Sequence, residues 1–369
     1  MKRLLCIVSV MNAGGAETFL MKVFRHLDRN RYMMDFAVSV PDKGIYDDEI
    51  ISIGGHIYHI TPKSKTPIKN FIDIVKIVKT NHYNYVLRTS QHSLSALELI
   101  AAWMGGAKYR VFRSSNSGTV SGSWSSILLH RMFTFLPKYI ANIRIAPSTE
   151  AAEYMFGQGC IKNGKAFIIH NALDIDMYRF SERNRIIYRK EFGINDDEIL
   201  VGHVGRFNQQ KNHTFLIEIF AQIVKKREQS RLLLVGIGEL QDTIRAKCQD
   251  QGILDKVIFA GVRSDVNRLL SALDVFLFPS LYEGMPNSVI EAQTNGIKCI
   301  VSDTITREAD ITNNVLFLSL SESTETWAYK TLDSLELIAQ REKVADIMER
   351  EGYNIDSTVD NFTNIIFKE

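Results

Sequence analysis

The chain has 369 residues, 45% of them hydrophobic, which suits two ordinary cores rather than one. It carries 44 Lys and Arg against 42 Asp and Glu, a formal net charge of +2, so no excess of basic charge calls for a nucleic-acid partner. Its four cysteines, Cys6, Cys160, Cys248 and Cys299, lack metal-ligand spacing, a reduced, cytosolic pattern in which Cys6 and Cys299 read as buried thiols.

Residues 3–10 are a continuous apolar run after a basic start. The run is short and lacks a small-residue cleavage site, so it reads as a first buried strand rather than a signal peptide. No apolar run reaches the length of a membrane span. Residues 11–15 form a loop ending in Gly14 and Gly15. Residues 16–27 then show helical spacing, with Phe19, Leu20, Val23, Phe24 and Leu27 on one side. Strands follow at 35–40 and 56–60, a helix at 68–79, a strand at 85–87, a helix at 94–103 stopped by Gly105 and Gly106, and a strand at 109–112. Strands at 144–146 and 167–169 are separated by a helix from Thr149. This βα alternation predicts a mostly parallel sheet covered on both faces.

Residues 174–195 are polar and charge-rich and read as the transition between domains. The pattern restarts with strands at 199–204, 232–235 and 257–259 and helices at 214–226, 240–251 and 266–273. Residues 274–303 then read as strand, loop, helix, strand: an apolar run at 275–278, Pro286 in the first turn of a helix continuing through 287–294, Gly296 as its stop, and a strand at 299–301. Two α/β domains in tandem imply a cleft at the carboxyl ends of their strands.

Five stretches carry chemistry. In MNAGGAE (11–17), Gly14 and Gly15 sit where the first strand meets the first helix and let backbone approach a phosphate; a plain tight turn is the alternative, and the dinucleotide fingerprint is absent. In HVGRFNQQKNH (203–213), Gly205 ends a strand and Arg206 and Lys211 are two cations suited to a diphosphate, or else a solvated basic loop. VGIGE (235–239) supplies Gly236 at another strand end. GVRSDVNRLL (261–270) offers Asp265 as a helix cap and Arg263 either beside a nucleobase or at the surface. Glu283 and Glu291 flank the 287–294 helix start, where free N–H groups and paired carboxylates suit phosphate and diols. The bland reading is a capping Glu283 and a solvated Glu291. His56, His59, His82 and His130 read as surface or core residues without a metal pair. Residues 123–143 form an apolar, aromatic helix, either core or lying on a membrane surface, which Pro137 would kink or end.

Taken in order, GGAE, GRFNQQKNH, GIGE, GVRSDV and E-x7-E resemble the retaining glycosyltransferases of family 4, along nearly the whole chain. Pro147-Ser148, Asn171 in IIHNALDIDMY, Asp303 and Glu308 are further family-like positions. The resemblance implies a GT-B fold: two Rossmann-like doubly wound domains facing a central cleft, an acceptor-binding domain at 1–175 and a donor-binding domain at 176–354, with a helix of weak pattern at 355–369 crossing back onto the first. It implies that Glu283 binds the donor hexose, beside the backbone of Gly284, Met285, Pro286 and Asn287. Glu291 would bind the ribose diol. Arg206 and Lys211 would hold the diphosphate, and Gly14 and Gly15 the phosphate or acceptor. No metal and no cofactor are implied beyond the nucleotide diphosphate sugar itself, with UDP-sugars favoured. The family's first-domain histidine is replaced in VFRSSNSG by Ser115 or Asn116, with His92 an alternative contact to sugar or acceptor. The expected activity is transfer of a hexose to an acceptor hydroxyl, on a saccharide or lipid-linked saccharide of surface polysaccharide synthesis. The expected location is the cytoplasm or the inner face of the membrane. A nucleotide-sugar 2-epimerase of the same fold, or a non-catalytic sugar-binding protein, are the alternatives.

Overall fold

The structure, a computed structural model, describes residues 1–12, 14–115, 124–337 and 341–368. It comprises two compact units, Met1–Ala172 with Ile355–Glu369, and Leu173–Asn354. The first is built on strands β1 (Lys2–Val8), β2 (Tyr32–Val38), β3 (Ile57–His59), β4 (Tyr85–Ser90), β5 (Tyr109–Ser114), β6 (Ile143–Ala146) and β7 (Phe167–Ile168). They pair in parallel in the order β3-β2-β1-β4-β5-β6-β7. Helices α1 (Gly15–His26), α2 (Asp47–Ser52), α3 (Pro67–Thr80), α4 (Leu97–Met104), α5 (Trp124–Met132), α6 (Phe135–Ile140) and α7 (Thr149–Phe156) cover the two faces. Helix α2 is too short and acidic to show a helical period, and the sequence reading passes over it.

The 123–143 segment is not one helix. It breaks after Met132, and Pro137 lies within the first turn of α6, where its missing N–H costs no hydrogen bond. Residue 123 lies outside the described residues.

The second unit contains α8 (Ile175–Tyr178), α9 (Glu182–Glu191), β8 (Ile199–Val204), α10 (His213–Lys226), β9 (Ser230–Val235), α11 (Gln241–Asp250), β10 (Val257–Gly261), α12 (Val266–Leu269), β11 (Val275–Phe278), α13 (Asn287–Thr294), β12 (Lys298–Ser302), β13 (Val315–Leu318), α14 (Thr324–Asp333) and α15 (Arg341–Arg350). Its parallel sheet runs β10-β9-β8-β11-β12-β13. Strand β11 is central, Val275 pairing with Val201 on one side and Lys298 on the other, and all four of its residues are fully buried. Burying side chains of that size contributes about 1.5–3 kcal/mol each.

The polar segment read as a transition is packed structure of the second unit. Arg189 of α9 is buried and donates to Asp274 (3.1 Å), to the Asn195 carbonyl and to the Glu198 carbonyl; Asp274 also accepts from Arg185 (2.5 Å) and from the Leu200 N–H (2.7 Å). Its charges hold α9 against the root of β8 and β11 instead of facing solvent.

The last helix, α16 (Ile355–Ile366), belongs to the first unit. Its pattern is stronger than the sequence reading allows. Ile355, Val359, Phe362 and Ile366 recur at spacings of four, three and four, and all are buried, with Phe362 edge-on to Phe19 of α1 at 6.1 Å. Among the described residues no helix is long and apolar enough to cross a membrane, and all four cysteines are buried and free.

Candidate functional site

In each sheet the chain winds outward in both directions from a central pair, β1/β4 in the first unit and β8/β11 in the second. The carboxyl ends flanking such a reversal are where open α/β sheets bind ligands. In the second unit, β8 leads to Arg206 and Lys211, and β11 leads to Glu283.

Two loops bring those residues together. Asn208 accepts from the Lys211 N–H (3.2 Å) and closes a 3-10 turn over Gln209–Lys211. Asn212 then takes a left-handed conformation (φ 53°) and donates through Nδ2 to the Pro279 carbonyl at 3.1 Å. The Leu281 N–H donates to the Gln210 carbonyl (2.8 Å), and Gln210 Nε2 to the Tyr282 carbonyl (3.0 Å). On the far side, Ser302 and Thr304 both donate to the Ser280 carbonyl (2.5 and 3.1 Å). Held from both sides, Lys211 Nζ lies 2.6 Å from Glu283 Oε1, with side chains 17% and 11% exposed, and 4.4 Å above the Phe278 ring. Arg206 is exposed and makes no side-chain hydrogen bond or ion pair among the described residues.

Helix α13 starts one residue later than the sequence suggests. Pro286 is its N-cap in extended conformation (φ −78°, ψ 102°), and no side chain caps the first turn. Its first N–H groups are left without an intrahelical carbonyl, beside Glu283, Gly284 and Met285. Glu291 lies one turn further on and accepts from the Tyr178 hydroxyl; burial first, and then this carboxylate, push the Tyr178 phenol well above its usual range. Tyr178 was not foreseen, since it lies in the segment read as a linker.

Asp265 does not cap α12, because its carboxylate is taken. It receives two bonds from Arg263 (2.8 and 2.7 Å) and one from the Tyr188 hydroxyl (2.7 Å), while Arg263 also reaches Glu191 at 2.9 Å. The Arg263 guanidinium is therefore committed within the second unit. Gly205 and Gly236 are brought together. Gly236 has φ +135°, and a Cβ there would sit 2.1 Å from the Gly205 carbonyl oxygen. Only glycine permits this approach.

Under the Lys211 loop lie two histidines that the sequence reading did not separate from their motif. His203 is fully buried, and its Nδ1 must donate, since the partner is the Leu277 carbonyl (2.9 Å). His213 stacks on Phe207, with ring centroids 4.2 Å apart. Burial, then the neighbouring His213 and Lys211, hold His203 well below its usual value; burial and Lys211 bring His213 down to about 4. Both imidazoles stay neutral, so Lys211 is the cation at this spot.

In the first unit, Gly14 is the N-cap of α1 and Gly15 its first residue. A Cβ at Gly14 would lie 2.4 Å from Glu17 Oε2, because that carboxylate folds back over the turn. Burial raises the Glu17 carboxyl above its usual value. Arg113, at the end of β5, is fully buried, donates to Asn171 Oδ1 at 2.6 Å and lies 4.0 Å over the Phe19 ring. Burial lowers it to about 10. Ser115 donates its N–H to the Ser90 carbonyl at 3.2 Å. His92 caps the 3-10 turn Ser93–Ala96 by accepting from Leu94 N–H (3.3 Å), its ring 5.4 Å from buried His130. Asn116 lies outside the described residues. Glu17 and Arg113 sit inside motifs already singled out, but nothing in the sequence marks them as inward-facing.

The profile of glycosyl transferases group 1 matches residues 184–343. EpsF of Bacillus subtilis (strain 168), which bears the name of a glycosyltransferase, is 30% identical over 99% of this chain and 96% of its own length. The UDP-Gal:alpha-D-GlcNAc-diphosphoundecaprenol alpha-1,3-galactosyltransferase of Escherichia coli is 26% identical over 64% of this chain and 62% of its own. Anabaena HepE, solved in complex with UDP, is similar in fold with a TM-score of 0.80 at 20% identity, covering 100% of both chains. Two parallel Rossmann-like units of this topology are those of the GT-B class. The chain belongs to the group 1 glycosyltransferases.

Proposed function

We propose that this glycosyltransferase moves a hexose-type sugar from a UDP-sugar to a hydroxyl of a lipid-linked saccharide, with retention of anomeric configuration and without a metal, in surface polysaccharide synthesis. The observation that carries the donor half is the Lys211–Glu283 pair at the β8/β11 reversal, 2.6 Å apart and largely buried, beside an uncapped helix start. Arg206 and Lys211 bind the diphosphate and stabilise charge as the sugar–phosphate bond breaks. Glu283 accepts from sugar hydroxyls, and Glu291, oriented by Tyr178, from the ribose diol. The acceptor oxygen attacks from the face the leaving diphosphate departs, and its proton passes to that diphosphate. The names of the Escherichia coli relative and of the HepE complex support UDP and a diphosphate-linked lipid acceptor. Work at the inner membrane face follows from such an acceptor.

The test is incubation of the purified chain with each common UDP-, GDP- and ADP-sugar and a lipid diphosphate saccharide, in EDTA, followed by NMR of the product's anomeric coupling. Transfer from one UDP-sugar with retention is expected. Inversion, or transfer only after magnesium is restored, overturns the corresponding part.

A further inference from the structure

A cavity lies wholly within the first unit, at the carboxyl ends of β3 and β4. Its volume is about 690 Å³, well within the range of small-molecule sites. The loop after β3 supplies Lys63, the start of α3 supplies Pro67, Ile68 and Phe71, and the turn after β4 supplies Leu94 and Leu97. The walls are nearly all apolar. The cavity's polar lining is Asn70, His92, Ser95, Glu98 and the half-exposed Lys63, whose Nζ lies 3.1 Å from Ser95 Oγ and 3.7 Å from Glu98. Glu98 is itself paired with buried Arg88, so it does not satisfy Lys63 alone.

The surroundings continue the apolar character. Ile68 is 77% exposed and Ile72, one turn on in α3, 56%; Leu97 at the start of α4 is 43% exposed. Water-facing side chains of this size around an apolar cavity mark a ligand or lipid surface rather than a core. A largely apolar cavity with a half-exposed lysine in its lining, whose carboxylate neighbour Glu98 is shared with Arg88, matches an amphiphile: phosphate at Lys63, hydrocarbon along Ile68, Phe71, Leu94 and Leu97. A sugar or a nucleotide would leave its hydroxyls facing those walls without partners, at the cost of their hydration.

The geometry points to this cavity as the subsite for the first segment of hydrocarbon chain of an acceptor lipid phosphate. The inference rests on the lipid-linked acceptor proposed above and adds that the enzyme grips the chain as well as the sugar. Lys63 sets the phosphate's position, and the pocket makes recognition depend on chain length.

The test is calorimetric titration of the full chain with ethyl, hexyl and decyl diphosphate below their micelle concentrations, with UDP titrated separately. Affinity is expected to rise about fourfold for each methylene that enters the pocket. Ile68→Glu and Leu97→Glu, both at exposed positions, should melt like the wild type and bring the three ligands within about threefold of one another. Equal affinities in the wild type overturn the proposal, as does an undiminished chain-length effect in both variants. Binding to phosphatidylglycerol vesicles with no chain-length effect also overturns it, in favour of contact with a lipid surface. UDP binding without a chain-length effect removes the pocket and leaves the donor site standing; a chain-length effect without UDP binding does the reverse.

Discussion

Lys211 and Glu283 are each other's counter-ion: Nζ and Oε1 are 2.6 Å apart, and each side chain is less than one-fifth exposed. The two loops that carry them follow neighbouring strands and are tied to each other by three backbone-anchored hydrogen bonds, from Asn212, Leu281 and Gln210, while Ser302 of β12 holds the Glu283 loop from the other side. A donor that engages both residues must redistribute this pair, so its energetics and the enzyme's turnover are linked.

Replacing Lys211 with Met should lower kcat by roughly 10²–10³, the size typical of losing one electrostatic contact to developing charge. It also leaves Glu283 buried without its cation, which lowers Tm. The double variant Lys211→Met with Glu283→Gln should recover most of that Tm and none of the turnover. Recovery of turnover, measured alongside thermal melting, contradicts the assigned roles.

Arg206 is exposed, so Arg206→Ala should change stability by no more than about 0.5 kcal/mol. Nucleotide affinity should fall and lose part of its salt dependence, because one ionic contact is gone. UDP titrations at three salt concentrations, for wild type and variant, read both effects. An identical slope in the two proteins removes Arg206 from the diphosphate clamp.

The Tyr178 hydroxyl holds Glu291. Tyr178→Phe should cost about 1 kcal/mol of stability for the lost bond. It should raise KM for the donor more than it lowers kcat, since the ribose is distant from the reacting bond. A pure kcat loss argues that Tyr178 acts elsewhere.

His213 is brought down to about 4 in the folded protein by burial and by Lys211, against an ordinary 6.5. Between these values the unfolded chain binds the proton and the folded chain does not. Stability therefore rises with pH from 4 to 6.5 and is lost as pH falls through that window, by about 3 kcal/mol for this group at ~1.36 kcal/mol per pH unit. Denaturant melts across pH 4–7 should show the slope, and His213→Phe should reduce it. An unchanged slope assigns it to other groups, His203 first.

The stretch from β11 to β12 was legible because an apolar run, a proline and Gly296 punctuate it, and each has a local physical cause. The two Rossmann-like sheets followed from the same periodicities repeated along the chain. The Lys211–Glu283 meeting was legible only as two residues in separate motifs, because the contact is made by tertiary loops. Tyr178 was hidden by its polar neighbourhood: Arg185 and Arg189 suggest solvent, yet their partner is buried Asp274. Arg113 and the His203/His213 pair were hidden for the converse reason, as polar residues that turn inward, Arg113 and His203 near strand ends and His213 at the start of α10. The break between α5 and α6 fell between apolar residues with no punctuation, so Pro137 drew an expectation that belongs three residues earlier.

The role of Lys211 in a metal-free diphosphate site is tested by calorimetric titration of UDP into the wild-type chain and into Lys211→Met, both in EDTA. Saturable metal-free binding to the wild type and at least a tenfold weaker affinity in the variant are expected. Equal affinity in both proteins, or binding that requires added magnesium, would contradict that role.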